Sequence, residues 1–298
     1  MKKVIILILS LVSFPFLYSQ TDDTQIPPPL TAPWEIVEVT ENPGPIPYPV
    51  VKQNDVMWER YIWREIDLRE KRNQSLYFPT EPQGSYKSLG QLILDAIDMS
   101  NPDSETALPI YTNEYCNVKV DRSEIKNVLG NTRKISTYDP DTGEPTGETI
   151  IDEPFTAAQI MYYRLKEVWF FDKNRGELGV RILEIEPFFE YEKEATGGNE
   201  EDVANLKTKR RLGYIKYDEL RPYLAQQLYF NPKNSALKIT YDDVMTWKRY
   251  FSSYIIAAGD QQNNREIQDY IKNPQDQRLE SERILNEIRN YEAELWEY

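Results

Sequence analysis

The stretch Asn54-Asp-Val-Met-Trp-Glu-Arg-Tyr-Ile-Trp-Arg-Glu-Ile-Asp-Leu-Arg-Glu-Lys71 governs how the rest of the chain is read. Asn54 or Asp55 can cap a helix start, because a short acceptor side chain satisfies the orphan backbone N–H groups there. Trp58, Ile62 and Ile66 recur at i, i+4 and i+8, the spacing of one helical face. Tyr61 and Leu68 flank that face and Trp63 lies off it, while Arg60, Arg64, Arg69 and the acids between them keep the element hydrated. The spacing predicts a helix over 54–71. A helix aromatic on several sides has to be gripped. It is either a core helix with a snorkelling charged rim or one that also serves an assembly interface, where Trp, Tyr and Arg are enriched.

Around this stretch, 298 residues suffice for one large domain or two small ones with a real core, and 40% hydrophobic with 28% charged residues is a globular balance. Residues 1–19 read as a signal peptide, with Lys2-Lys3 basic, an apolar run over 4–18 interrupted by Pro15, and cleavage after Ser19 or Gln20. No cysteine stands at that point to take a lipid, and no later segment approaches a membrane-spanning length, so a soluble exported protein is expected. The net charge of −14, or −16 once Lys2 and Lys3 are removed, argues against a nucleic-acid partner and favours a basic one, or simple solubility. Cys116 is the only cysteine, so no internal disulfide can form, and it is expected to be a small buried hydrophobe. Histidine is absent, which removes Ser-His-Asp and Cys-His pairs, HExxH zinc sites and the usual neutral-pH general base.

Residues 20–50 are proline-rich, an extended arm that either links or wraps a neighbour, with Trp34 in its one alternating segment. Residues 75–80 read as extended and 88–98 as an amphipathic helix with Leu92, Ile93, Ala96 and Ile97 on one side. Strand material is expected at 108–113 and 116–120, a short helix at 123–129, and two strands across 133–151. Asp139, Asp141 and Gly143 resemble a calcium loop but lack its further oxygen ligands, so ordinary turn chemistry is preferred and no metal is expected. The clearest hairpin pairs 165–171 with 179–187 around Asn174 and Gly176, and 188–191 extend its second strand. A polar loop over 192–209, a strand over 213–217 and a helix over 219–230 follow, with Leu220, Leu224 and Leu228 in register. Residues 231–235 turn the chain, and 242–258 form a second aromatic helix capped by its paired aspartates. Ile284, Ile288, Tyr291 and Leu295 stripe a C-terminal helix over 273–298, placed to dock on the body or on another chain. Residues 55–61 echo 243–250 with one insertion, weak evidence for two related lobes.

No Walker A loop, dinucleotide glycine fingerprint or nucleophile elbow is present, so no cofactor and no catalytic residue is assigned. Carboxylates are plentiful, but solvated surface charge is the plain explanation, and Glu65, Asp67 and Glu70 beside Arg64, Arg69 and Lys71 suggest ion pairs. Residues 55–73, Leu76-Tyr-Phe-Pro79, Glu167-Val-Trp-Phe-Phe-Asp-Lys173, Val180-Arg-Ile-Leu-Glu-Ile-Glu-Pro187 and Trp247-Lys-Arg-Tyr-Phe-Ser-Ser-Tyr-Ile255 resemble the GldN family, called PorN in non-gliding relatives. The resemblance covers roughly residues 48–270. It implies a non-enzymatic periplasmic subunit of the type IX secretion system of Bacteroidetes, held beneath the outer membrane. There it would form a ring with the lipoprotein GldK and neighbouring copies, coupled to the motor proteins GldL and GldM.

The expected fold is α+β: amphipathic helices and antiparallel hairpins over 51–272, preceded by the arm and closed by the C-terminal helix. Trp34, Trp58, Tyr61, Trp63, Arg64, Arg69, Trp247, Arg249 and Tyr250 are the candidate partner-binding residues. The alternative is a periplasmic carbohydrate-binding or hydrolytic module, which requires a concave cleft where two carboxylates face aromatic platforms.

Overall fold

The computed structural model describes residues 44–97, 107–121, 125, 131–138, 145–153, 155–192, 207–231, 238–259 and 265–296. The expected signal segment, the arm up to residue 43 with Trp34, the turns at 139–144 and 232–235, residues 193–206 of the loop expected over 192–209 and all but Ile125 of the helix at 123–129 lie outside them, while residues 192 and 207–209 of that loop are strand instead.

Residues 56–67, expected as helix, are a twelve-residue strand, β1 (Val56–Asp67), entered through a single 3-10 turn at Gln53–Asp55. The reason is arithmetical as well as chemical. A spacing of four is even, so Trp58, Ile62 and Ile66 also share one face of a strand, whose period is two. Half of β1 is β-branched or aromatic, and such side chains lose rotamer freedom against a helical turn but fit a pleated surface. Tertiary pairing settles the matter, because β1 bonds along both edges. It runs antiparallel to β4 (Ile160–Asp172), with Ile62 opposite Glu167 and Glu65 opposite Arg164, and to β8 (Tyr254–Ala258), with Trp63 opposite Ala257.

The sheet has six strands, five in the order β6 (Lys207–Arg211), β5 (Glu177–Glu192), β4, β1, β8, with β7 (Ile215–Lys216) pairing β5 off that path. The hairpin of β4 and β5 (Glu177–Glu192) is longer than its expected core, and β5 continues through Pro187. Strands β6 (Lys207–Arg211) and β7 (Ile215–Lys216) both pair with β5. A separate hairpin joins β2 (Asn131–Tyr138) to β3 (Pro145–Glu153), as the sequence suggests.

The expected strand over 213–217 shrinks to β7, and 108–113 with 116–120 make only isolated bridges, Tyr111 to Lys119 and to Tyr214. At Gly213 a Cβ would sit 2.2 Å from Ile110 Cγ2, so the approach of these two segments requires glycine.

One sheet face is apolar. Ile66, Tyr163, Leu165 and Ile185 pack with helix α2 (Leu89–Ile97) and helix α3 (Tyr217–Gln226), both expected, although Leu228 falls beyond the end of the latter. Farther along the same face, Ile62, Trp169 and Ile255 meet Ile284 and Ile288 of the C-terminal helix, here α5 (Pro274–Trp296). Trp58 packs on Tyr291, ring centroids 5.5 Å apart, so the C-terminal stripe docks on its own body. Between α3 and α5 lies the short helix α4 (Ile267–Tyr270).

Two further expectations fail. Residues 74–77 form a helical turn, α1 (Gln74–Tyr77), where extended chain was expected. It is stapled by fully buried Asn73, whose side-chain amide donates to Asp67 O and Ser252 O and accepts from Ser252 N. The helix expected over 242–258 is only a six-residue π-helical turn, Asp243–Lys248. Arg249 adopts the left-handed conformation, φ 49°, and Tyr-Ile-Ile-Ala-Ala turns into β8. The echo of 55–61 in 243–250 therefore joins a strand to a helical turn, and the two-lobe reading is wrong.

Alternation along β1 is directly testable. Ile66→Ala should cost about 2–5 kcal/mol in urea unfolding, whereas Tyr61→Ala, at a site 41% exposed, should cost under about 1 kcal/mol. Equal losses would be at odds with a strand.

Candidate functional site

Opposite the apolar face, the same strands present a checkerboard of charge and aromatic rings. Register places Trp63 across from Lys166 and Glu65 across from Arg164 on β4, then Lys166 across from Glu184 and Arg164 across from Glu186 on β5. Phe188 lies opposite Arg211 and Glu190 opposite Lys209 on β6. Opposite charges thus meet as cross-strand pairs, the arrangement that stabilises a sheet surface. The centre of this face is a concavity of about 620 Å³, with Tyr61, Trp63, Arg164, Lys166, Glu184, Glu186 and Arg211 in its wall and Glu114 and Tyr115 at its rim.

Lys166 is its hub. Its ammonium lies 2.9 Å from Glu114 Oε1 and 3.5 Å from Glu184 Oε1. It also sits 5.6 Å from the Trp63 ring centroid, 5.7 Å from Tyr115 and 6.0 Å from Tyr61, a cage in which ring quadrupoles favour the cation. Trp63 Nε1 donates to the same Glu114 oxygen at 3.0 Å, which ties the loop carrying Tyr115 to the sheet. Burial works to lower the pKa of Lys166, but Glu114 and Glu184 outweigh it and the ammonium is held above its ordinary pKa.

The carboxylates are under more stress. Burial pushes Glu184 up to about 7 against the opposing pull of Lys166. Burial likewise pushes Glu186 up to about 7, although Arg211 lies 2.8 Å away. Glu65, only 4% exposed, collects Arg164 at 3.7 Å, Lys209 at 3.1 Å and the Tyr254 hydroxyl. Four buried side-chain atoms of this face make no hydrogen bond, Glu184 Oε2, Arg164 Nε, Glu186 Oε2 and Arg211 Nε, the last two facing each other as an ion pair at 2.8 Å.

Of the residues expected to bind a partner, Tyr61 and Trp63 face this concavity. Arg69 lies on its flank, bound bidentately to Asp67 (Nε to Oδ1 3.0 Å, Nη2 to Oδ2 2.9 Å) and stacked 4.8 Å from Tyr162. Arg64 and Arg249 turn instead to the apolar face, where Glu167 has no exposed surface. Arg249 Nη2 donates to Glu167 Oε1 at 2.5 Å, Trp169 Nε1 to Oε2 at 2.8 Å, and Arg64 approaches Oε2 at 3.8 Å. Burial lowers the pKa of Arg64 within this Arg64–Glu167–Arg249 triad, because desolvation disfavours the charged form. The ion pairs expected around 64–71 therefore exist, but Arg64, Glu65 and Glu70 find partners far away in sequence, Glu70 on Arg278.

Trp247 and Tyr250 form a second surface patch, 39% and 44% exposed. Beside Trp247, Tyr48 is clamped between Arg221 at 4.2 Å and Arg181 at 5.2 Å, and those arginines also donate to Ile46 O and Pro49 O. The last residues of the arm thus lie on this chain's own body. Cys116 is half-buried at φ 48°, not a core hydrophobe, and burial pushes its thiol up to about 11, so it stays protonated.

In the sequence each of the concavity's main charges looks like surface charge alone. Arg164-x-Lys166 and Glu184-x-Glu186 do repeat at period two, but only register shows that opposite signs face each other. Among the described residues, no group of three or more His, Cys, Asp or Glu side chains is placed to hold a metal.

Two substitutions probe this electrostatic map. A carboxyl whose folded pKa is raised binds its proton in the native state but not in the unfolded one, so stability falls as pH rises between about 4.5 and about 7. Glu184→Gln should remove up to about 1.4 kcal/mol per pH unit of that slope, read from thermal unfolding between pH 5 and pH 8. Arg249→Ala should cost about 3 kcal/mol, the low end for breaking a buried pair, because Arg64 remains beside Glu167. Urea unfolding measures it.

Residues 51–297 match the family described as gliding motility associated protein GldN. No curated protein matches the chain. No helix among the described residues is long and apolar enough to cross a membrane. The match spans the whole sheet and both of its faces as well as the C-terminal helix, and the chain is a member of the GldN family of gliding-motility and type IX secretion proteins.

Proposed function

We propose that this chain is a non-enzymatic structural subunit of that machinery. In this reading it is periplasmic and lies against the inner face of the outer membrane. A GldK-like lipoprotein holds it there, neighbouring copies complete a ring, and GldL and GldM are engaged indirectly. The family match over 51–297 carries the reading.

The surface supports it. Interfaces concentrate binding energy in a few Trp, Tyr and Arg side chains, and Trp247, Tyr250 and Tyr61 are large rings left between 39% and 44% exposed. Trp247 adjoins Tyr48, where residues 44–50 are anchored. We assign the arm and the Trp247–Tyr250 patch to the lipoprotein, with Tyr61, Trp63 and Arg69 left for a second contact. Trp58, Arg64 and Arg249 support these surfaces from inside.

In pull-down with the GldK-like lipoprotein, joint substitution Trp247→Ala and Tyr250→Ala should cost about 2 kcal/mol, roughly thirtyfold in Kd. Deleting residues 21–45 should weaken capture as well. Undiminished capture by both variants would contradict the assignment.

A further inference from the structure

We propose that the concavity walled by Arg164, Lys166, Glu184 and Glu186 is a saccharide-binding site. Glu184 and Arg164 would hydrogen-bond ring hydroxyls, while Tyr115 and Tyr61 supply an aromatic rim. The site shares Tyr61 and Trp63 with the second contact proposed above and is distinct from the lipoprotein surface at Trp247 and Tyr250.

Its size, about 620 Å³, lies within the usual range of small-ligand sites. Its chemistry selects among ligands. An apolar molecule would strand the ionic wall without solvent. An anion would meet Glu114, Glu184, Glu186 and Glu266, and a cation would meet Arg164, Lys166 and Arg211. A neutral polyhydroxylated ring avoids both repulsions, because each hydroxyl donates and accepts.

The unsatisfied atoms match that requirement. Glu184, only 7% exposed, keeps Oε2 without a donor, and Arg164 keeps Nε without an acceptor. Glu184 faces Lys166 and Arg164 lies two residues along the same strand, so the two groups are diagonal neighbours about 7 Å apart at Cβ. One sugar ring spans that distance. Buried polar atoms left unpaired are expensive, and a ligand that completes them recovers the cost.

The rim supplies the apolar half of such recognition. Tyr115 is 81% exposed, yet its loop is pinned by Glu114 to Lys166 and Trp63 and closed by the Thr112 N to Val118 O bond at 3.0 Å. An exposed ring on an anchored loop is a preorganised stacking platform.

The groups facing Glu184 are Lys166 on β4, Lys216 opposite it on β7, Glu186 on its own strand, and Glu114 and Cys116 on the loop. A hydroxyl that donates to Glu184 stabilises the ionised form, so binding expels a proton and tightens from pH 6 to pH 8.

Calorimetric titration of the full chain with cellotetraose and with tetra-N-acetylchitotetraose tests this. Saturable binding of at least one at pH 8 is expected, weakened about tenfold or more by Glu184→Gln. Tyr115→Ala, exposed enough not to disturb folding, should weaken it similarly. Lipoprotein capture should be unaffected by Glu184→Gln, which separates this site from the assembly reading. The proposal is overturned if neither tetrasaccharide saturates the chain at millimolar concentration. It is overturned equally if binding survives both substitutions, because the sugar then sits elsewhere.

Discussion

A strand bonded along both edges commits every side chain to one face or the other, and β1 is in that position between β4 and β8. Ile62 and Ile66 go to the core, and with them, on the same parity, goes Arg64. A guanidinium on the apolar face needs a counter-charge, and Glu167, directly opposite Ile62, provides it. Glu167 has no exposed surface and needs a second partner, which is Arg249. The left-handed turn at Arg249 that ends the π-helical segment delivers that guanidinium and sends the chain back as β8, the other partner of β1. The pairing, the triad and the reversal therefore depend on one another, and removing one member leaves a buried charge exposed to the full cost of desolvation.

The opposite parity of β1 contributes to the charged face. Ion pairs this far from water stabilise little against apolar replacements, so a wall of them is retained at some cost in stability. Glu184 and Glu186, both displaced to about 7, mark where that cost is concentrated. Strained, incompletely paired polar groups in a concavity are commonly kept for what they bind. The apolar face, by contrast, is consumed internally by α2, α3 and α5.

How much of this was legible in the sequence follows from the physics of each element. The hairpin of β4 and β5 was legible because alternation over many residues has no helical counterpart, and α2 and α5 because their stripes fall at three and four. Residues 54–71 misled because spacings of four satisfy both periods, and the choice was made by β4 and β8, which lie far away in sequence. The same non-locality hid the candidate site. Arg164, Lys166, Glu184 and Glu186 are ordinary charges until register sets them face to face. The family resemblance was carried by long aromatic motifs over roughly 48–270, and the match extends through the C-terminal helix to 297.

The central claim is that β1 divides its labour, one parity holding the fold and the other left for ligands and partners. Hydroxyl-radical footprinting of aromatic side chains, in the isolated chain and in its complex with the lipoprotein, tests this most directly. In the isolated chain, Tyr61, Tyr115, Trp247 and Tyr250 should label rapidly, while Trp169, Tyr163, Tyr217 and Tyr241 stay protected. On assembly, protection should appear only within the first set. Labelling of Trp169 at the rate of Tyr61, or assembly that leaves the exposed set unchanged, would contradict the account.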